Sequence, residues 1–118
     1  MDKYYEGVRA EVKAKNFLIK NGYQILDENV SYKNTGELDL VAKDGQELVF
    51  IEVRYRKDDS FGHPLETLTK SKINRIIKAA RLYLCEKSIS FSGIRFDVVS
   101  VTDMGEELIK NAFFARWN

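Results

Sequence analysis

The sequence contains few of the residues on which several classes of protein depend. Its 118 residues include one cysteine, one proline and one histidine. The single cysteine, Cys85, excludes an intrachain disulfide and a thiolate metal cluster within this sequence, and it favours a reducing compartment. Cys85 stands near the end of a predicted helix, where we expect it to fill the core. His63 has no second histidine to complete a metal site, and its place before Pro64 predicts a turn or a helix cap.

Long apolar runs and a strong net charge are also missing. No run of about 18 apolar residues occurs, and the first residues contain no apolar signal core. The formal net charge of +1 excludes a globally basic nucleic-acid coat, although it leaves local basic patches open. With 44% hydrophobic and 31% charged residues, the chain has the composition of a globular domain. We expect one domain over residues 1–118, a cytoplasmic location and no association with membranes.

Hydrophobic periodicity and turn residues divide the chain into an alternating series of elements. In order, they predict a helix over 4–21, strands over 23–32, 37–43 and 47–55, a helix over about 65–87, and a strand over 94–102. Gly22 ends the first helix, and the second begins after Pro64 with a break near Thr69. The tail is ambiguous, and its apolar residues indicate that it packs against the core: Leu108, Ile109, Phe113, Phe114 and Trp117. This order predicts an α/β fold.

Two of the predicted strands form a hairpin whose faces differ in character. One face is wholly apolar: Leu38, Leu40, Ala42, Val49, Ile51 and Val53. The other face is apolar near the turn and ionisable at the far end, where it carries Glu37, Asp39, Glu52 and Arg54. Because both faces are largely apolar, the sheet is expected to have a helix packed on each side.

A pair of carboxylates on this hairpin is the strongest functional signal in the sequence. A two-residue turn at Asp44-Gly45 places Asp39 opposite Phe50 and diagonal to Glu52. Carboxylates at such positions lie roughly 5–8 Å apart, and their repulsion favours a cation between them. A divalent metal with oxygen ligands is the natural candidate. The alternative is that these acids form ion pairs, Asp39 with Arg54 and Glu52 with Lys72.

A third acid lies in an unusual place on the first helix. Glu11 falls within the apolar stripe, between Gly7 and Ala14, where an isolated carboxylate is costly to bury. It could bind a metal, or it could pair with Lys15 or an arginine of the sheet.

The second helix carries a local excess of positive charge. From Arg54 to Arg81 there are eight lysines and arginines against Asp58, Asp59 and Glu66. A basic helix face is typical of phosphate-backbone binding, although most such faces are only solvated. The candidate nucleic-acid-binding residues are Arg56, Lys70, Lys72, Arg75 and Lys78. Of these, Lys72 stands at the edge of the apolar stripe, where it could snorkel to solvent or reach the ionisable end of the hairpin.

Two segments of the hairpin resemble the YraN family of bacterial proteins. They read Gly36-Glu37-Leu38-Asp39-Leu40-Val41-Ala42 and Leu48-Val49-Phe50-Ile51-Glu52-Val53-Arg54-Tyr55-Arg56. Residues elsewhere fit the same family, among them Gly7, Glu11, Lys72, Arg75 and the run Arg95-Phe96-Asp97-Val98-Val99. The family is assigned to the PD-(D/E)xK nuclease-like fold and is similar to archaeal Holliday junction resolvases.

The resemblance implies a restriction-endonuclease-like, three-layer α/β/α core. Its order would be α-β-β-β-α-β, with a mixed four-stranded sheet. It also implies a nuclease site that uses Mg²⁺ or Mn²⁺, with Asp39 and Glu52 as metal-binding acids and Glu11 as the acid of the opening helix. Arg54 stands where the motif has a lysine. Since arginine stays protonated, it can orient a phosphate but cannot act as a general base.

Three hypotheses about function follow. The first is an endonuclease that cleaves branched or flapped DNA, in which Glu11, Asp39 and Glu52 hold metal, Arg54 clamps the scissile phosphate, and Lys72 and Arg75 contact the flanking backbone. The second is a non-catalytic nucleic-acid-binding module of the same fold. The third is a protein-interaction adaptor with a purely structural acidic cluster. A homodimer would match the two symmetric strands of a junction, and a monomer is the alternative.

Overall fold

The computed structural model describes residues 3–57 and 62–115, with side chains from residue 6 onward. The helices are α1 (Lys3–Lys20) and α2 (Lys70–Glu86), and a 3-10 helix spans Pro64–Thr67. The strands are β1 (Gln24–Tyr32), β2 (Gly36–Asp44), β3 (Glu47–Tyr55), β4 (Gly93–Thr102) and β5 (Gly105–Phe113). Asp58, Asp59 and Trp117, which the sequence placed in a loop and in the tail, lie outside the described residues. No helix in the described part is long and apolar enough to cross a membrane.

All five strands form one mixed sheet, in the spatial order β1-β2-β3-β4-β5. β3 and β4 are parallel, and the other neighbours are antiparallel. The α/β class is therefore confirmed, whereas the prediction of four strands is wrong because the ambiguous tail forms β5. Period two fails to reveal β5 for a physical reason. Asn111 has a φ of 52°, and the pairing of β5 with β4 shifts register between Phe96 and Val98, so the side chains do not alternate regularly.

The two helices cover opposite faces of the sheet, as predicted. The core on the α1 side contains Ala10, Ala14, Leu18, Tyr23, Leu40, Ala42, Val49, Ile51, Val99 and Val101. The core on the α2 side contains Leu38, Val41, Leu48, Phe50, Ile76, Ala79, Ala80, Tyr83 and Phe96. Cys85 belongs to neither core and is exposed, so the expectation that it fills the core is wrong.

The hairpin turn lies one residue later than the sequence predicted. Asp44 pairs with Glu47, which leaves Gly45 and Gln46 as the two loop residues, and Val41 rather than Asp39 lies opposite Phe50. Of the two loop residues only Gly45 has a positive φ, 60°. This matches a turn with glycine at its first central position, whereas the predicted turn needed positive φ at both. Moving the turn by one residue changes the cross-strand partner of each residue by two positions. Since side chains alternate with period two, every side chain of β3 stays on its predicted face.

The alternation of faces in β2 breaks at Asp39. Leu38 packs with the α2 core and Leu40 with the α1 core, although a regular strand would put them on one face. The break coincides with Asn29 of β1, whose φ is 52°. β1 pairs Glu28 with Leu40 and Val30 with Leu38, so Asn29 and Asp39 lie between the same two pairs. The prediction that Leu38 lies on the same apolar face as Leu40 is therefore wrong.

The segment before α2 is fixed by side-chain caps. His63 Nδ1 accepts a hydrogen bond from the Leu65 N–H at 3.2 Å, which confirms the predicted capping role. Thr69 Oγ1 accepts one from the Lys72 N–H at 3.1 Å and begins α2, which confirms the predicted break near Thr69. These caps determine where the first turn of α2 meets the hairpin.

A buried charged network joins the turn end of the hairpin to β4. Arg95 Nε and Nη2 donate to Asp97 at 2.9 Å, and Nη2 also donates to Asp44 at 2.9 Å. Arg95 Nη1 donates to Glu47 at 2.8 Å. Asp97, which is fully buried, also accepts from the Tyr23 hydroxyl at 3.0 Å. Burial and the Asp97 charge raise the pKa of Tyr23. Because each buried charge has partners, the network is structural.

We expect Asp97→Ala to lower the free energy of unfolding by about 3 kcal/mol, because it leaves Arg95 buried with an incomplete set of partners. Lys110→Ala is the control, since it removes a more exposed partner of Asp44 at 3.7 Å and is expected to cost under about 1 kcal/mol. Urea unfolding of both variants measures the difference. Equal losses in the two variants would contradict the structural role of the network.

Candidate metal and nucleic-acid site

Four of the ionisable residues singled out in the sequence line one cleft between α1, the hairpin and the first turn of α2. This acidic cleft has a volume of about 530 Å³, and Glu11, Asn29, Asp39, Glu52 and Lys72 are among its lining residues. All three predicted acids therefore face the same space, although they come from α1, β2 and β3. Asn29 was missed because nothing in the sequence marks it apart from the tolerance of asparagine for left-handed backbone.

Asp39 is held by the backbone of the neighbouring strand. Its Oδ2 accepts a hydrogen bond from the Val53 N–H at 2.8 Å. The reason is geometric: the β2–β3 pairing ends at Leu40 and Ile51, so the Val53 N–H bonds a carboxylate instead of a strand carbonyl. One oxygen of Asp39 is thus fixed by the backbone.

Glu52 is a carboxylate in an unfavourable place for a negative charge. Its side chain is 4% exposed. Burial and the nearby Asp39 raise its pKa to about 8, against the opposing effect of Lys72 and Arg54. Lys72 Nζ lies 3.7 Å and Arg54 Nη1 3.6 Å from Glu52 Oε2. The ion pair of Glu52 with Lys72, which the sequence left as an alternative, therefore exists, yet these two cations do not offset the burial and the repulsion.

Glu11 completes the acidic lining from the helix side. Burial and, after it, the charge of Asp39 raise the pKa of Glu11, while a hydrogen bond from the Asn29 side chain opposes this shift. Lys15, the alternative partner for Glu11, pairs with Glu28 at 3.2 Å instead. Glu11 therefore lines the acidic cleft and does not form an ion pair with Lys15.

The donor set fits a metal that keeps much of its water. In the described part of the chain, no group of three or more His, Cys, Asp and Glu side chains is arranged to hold a metal ion. Mg²⁺ commonly uses one or two carboxylates and takes its other ligands from water and substrate phosphate. Asp39 and Glu52, which interact directly, fit that requirement. Glu11 lines the same cleft without joining them in a closed set of three ligands.

Arg54 makes its hydrogen bonds outside the acidic cleft. Its Nε donates to Thr67 Oγ1 at 3.1 Å and its Nη2 to the Thr67 carbonyl at 3.2 Å. Thr67 Oγ1 in turn donates to the Pro64 carbonyl at 2.7 Å. With Nη1 beside Glu52, Arg54 links the 3-10 helix to the acid pair. Its role as a phosphate clamp stays a prediction, and these contacts favour a positioning role.

Lys72 lines a second cleft as well, between α2 and the β1–β2 turn. This basic groove has a volume of about 420 Å³, and Lys33, Lys72 and Arg75 line it. Lys33 was missed, because no sequence pattern gives the distance between the turn and α2. The two are close because Gly36 has no side chain: a Cβ there would lie 2.6 Å from the Arg75 carbonyl oxygen.

The other basic residues predicted to bind nucleic acid lie away from both clefts. Lys70 and Lys78 are exposed on α2. Arg56 Nη1 donates to the Gly62 carbonyl at 2.6 Å. The structure therefore brings together Lys72 and Arg75 from the predicted set, and their role in binding stays a prediction.

We expect the stability of the metal-free protein to depend on Glu52 in a definite direction. The pKa of Glu52 is raised from 4.5 to about 8, so between these values the native state holds a proton that the unfolded state has released. Stability from this group is complete below pH 4.5 and is lost as the pH rises through 8. Glu52→Gln avoids the loss, so its stability relative to the unchanged protein should rise by about 4 kcal/mol between pH 5 and pH 8.5.

Thermal unfolding in EDTA at the two pH values measures this effect. Glu107→Gln, at an exposed position on β5, is the control and should show no pH-dependent difference. A Glu52→Gln effect that is the same at both pH values would argue against a destabilising charge at this position.

Comparisons with known proteins agree with the resemblance seen in the hairpin. A family model described as "Uncharacterised protein family UPF0102" matches residues 10–101. A UPF0102 protein of Chromohalobacter salexigens is 42% identical over 118 residues, covering 97% of this chain and 94% of the relative. UPF0102 proteins of Vibrio campbellii and Persephonella marina are 40% and 35% identical, covering 90% and 96% of this chain and 89% and 97% of each relative. The chain therefore belongs to the uncharacterised family UPF0102, also known as YraN.

Proposed function

We propose that this protein is a metal-dependent endonuclease of the restriction-endonuclease-like fold, which hydrolyses phosphodiesters in branched or flapped DNA with Mg²⁺ or Mn²⁺. The observation that carries the proposal is the contact between Asp39 and Glu52 in an open cleft. Two carboxylates so close, one of them buried, need either a shared proton or a cation. In the metal-free protein the raised pKa of Glu52 keeps a proton there, and a bound divalent metal would take its place and supply the positive charge.

The arrangement of the elements supports this fold assignment. α1 is followed by the β1–β2–β3 meander, and α2 then connects β3 to the parallel strand β4. The sequence therefore runs α-β-β-β-α-β, as in the PD-(D/E)xK nucleases that the hairpin resembles, and β5 is added at the edge. Asp39 and Glu52 lie where the pairing of β2 and β3 ends, so their side chains leave the sheet at an open end of the hairpin.

Asp39 and Glu52 would hold the metal, and Glu11 would add a third carboxylate to the same cleft from α1. The bound metal would polarise the phosphate and lower the pKa of a coordinated water. The protein supplies geometry: the Val53 N–H fixes Asp39, and Arg54, itself bound to Thr67, fixes Glu52. A fixed carboxylate pair avoids the cost of ordering these ligands when metal and substrate bind.

Lys72 provides the mobile positive charge that the motif normally draws from its lysine. Arg54 occupies that sequence position but bonds Thr67. Lys72 reaches the acid pair from α2, with Nζ 3.7 Å from Glu52 Oε2, and it lines the cleft. With a metal held by the acids, Lys72 would be free to contact a phosphoryl oxygen and to stabilise the charge that develops there.

A non-catalytic nucleic-acid-binding module is the second candidate. One observation favours it: Glu52 already has two cationic neighbours, Lys72 and Arg54, and the acids do not form a set of three ligands among the described residues. In that case the acidic cleft would be structural and only the basic residues would act. The two candidates differ in their response to metal.

A cleavage assay on flap, junction and linear DNA, with Mn²⁺ or with EDTA, separates the two. We expect cleavage with Mn²⁺ only, and a loss of at least about 100-fold in Asp39→Asn, because that change removes a metal ligand and its charge. Mn²⁺ should also raise the Tm of the unchanged protein but not that of Asp39→Asn. Glu107→Gln is the control for charge loss at a distance.

DNA binding in EDTA should survive the Asp39→Asn change within about threefold, since no metal ligand is needed there. Binding without any cleavage would support the second candidate. Cleavage that persists in Asp39→Asn would place the chemistry elsewhere and reject the acidic cleft as the active site.

We expect Lys72→Ala to lower kcat by about 100-fold, as is typical when a group that stabilises the transition state is removed. Lys70→Ala is the matched control, because Lys70 begins the same helix and is exposed outside the cleft. Single-turnover cleavage with saturating enzyme measures both. Equal rates for the two variants would remove Lys72 from the proposed mechanism.

A further inference from the structure

We propose that the basic groove between α2 and the β1–β2 turn binds the backbone of an unpaired nucleic-acid strand. Its position next to the scissile phosphodiester rests on the proposed function, whereas the binding itself does not. Lys72 lines both the basic groove and the acidic cleft, so the two spaces are contiguous at this side chain. A strand whose phosphate enters the acidic cleft would therefore continue along the basic groove.

Charge is the first argument for a polyanion in the groove. Lys33, Lys72 and Arg75 line it, and Glu37 is its one acidic lining residue. Among residues 3–57 and 62–115, neither Lys33 nor Arg75 is engaged in an ion pair or a side-chain hydrogen bond, and both are exposed. Cations without partners in a concave site attract phosphates, and their binding releases the counterions of the nucleic acid.

Neutral donors on the turn side are the second argument. Ser31, Asn34 and Thr35 line the groove opposite α2. Hydroxyl and amide side chains commonly bond phosphate oxygens and set the position of a strand. The turn that carries them is ordered, because the Thr35 N–H donates to the Tyr32 carbonyl at 3.0 Å and Asn34 has a left-handed φ of 62°. These donors are thus positioned before a ligand arrives.

An aromatic side chain favours a single strand over a duplex. Tyr32 lines the groove and is partly exposed, and its hydroxyl donates to Glu86 at 3.4 Å, which orients the ring. Unpaired bases stack on such rings, whereas the bases of a duplex already stack on one another. Close contact between Gly36 and the Arg75 backbone fixes the distance between the two walls. The groove is therefore suited to one backbone with a splayed base.

The test compares two variants that each lose two positive charges. Lys33→Gln/Arg75→Gln removes the free cations of the groove, and Lys70→Gln/Lys78→Gln removes two exposed cations of α2 that lie outside it. Fluorescence anisotropy with a single-stranded DNA oligonucleotide, in EDTA, gives Kd at several salt concentrations. We expect the groove variant to bind at least tenfold more weakly and its salt slope to fall by about 1.4, about 0.7 for each lost phosphate contact.

Three results would overturn the inference. They are no binding of the single strand by the unchanged protein at low salt, an equal loss of affinity in both double variants, and an equal loss of affinity for duplex and single-stranded DNA in the groove variant. Tyr32→Leu, which keeps an apolar side chain, should weaken single-strand binding about tenfold, and circular dichroism confirms that each variant is folded. Since no metal is present, a selective loss in the groove variant supports the groove even if the cleavage assay fails. Cleavage with unchanged strand binding would reject the groove and leave the nuclease proposal intact.

Discussion

The site depends on one hydrogen bond, from the Val53 N–H to the Asp39 carboxylate. A strand N–H normally bonds a carbonyl of the next strand, but the β2–β3 ladder has ended at Leu40 and Ile51. The carboxylate takes the vacant donor, and so a side chain is held with the accuracy of the backbone. Because Glu52 directly precedes Val53, the same bond also keeps Glu52 close to Asp39. The acid pair is a consequence of how the hairpin opens.

Two regions of opposite charge meet at the first turn of α2. Three carboxylates line the acidic cleft, and three cations line the basic groove. Lys72 belongs to both, and its capped helix start keeps it there. A ligand that carries phosphates and recruits a metal satisfies both regions at once, whereas either one alone leaves a charge imbalance. This complementarity unites the chemistry proposed for the cleft with the binding proposed for the groove.

The sequence predicted the order of elements and the residues of the acid pair better than their detailed placement. Hydrophobic alternation with period two identified the hairpin. The predicted register was wrong by two residues, but the prediction that Asp39 and Glu52 are neighbours still holds, because a shift of two preserves the faces of a strand. Leu38 was misplaced, since the left-handed Asn29 interrupts the pleat. β5 and Lys33 could not be predicted, because an irregular edge strand and a contact between distant segments leave no local pattern.

Gly36 has a consequence for how the two charged regions can vary. Because the Arg75 carbonyl already touches the space where a side chain would begin, the turn and the helix stand at their minimum separation. Any bulkier residue would push α2 outward, and Lys72, one turn earlier on the same helix, would retreat from Glu52 with it. The spacing of the two walls and the electrostatics of the acid pair are therefore mechanically coupled. Both depend on the absence of a side chain at Gly36.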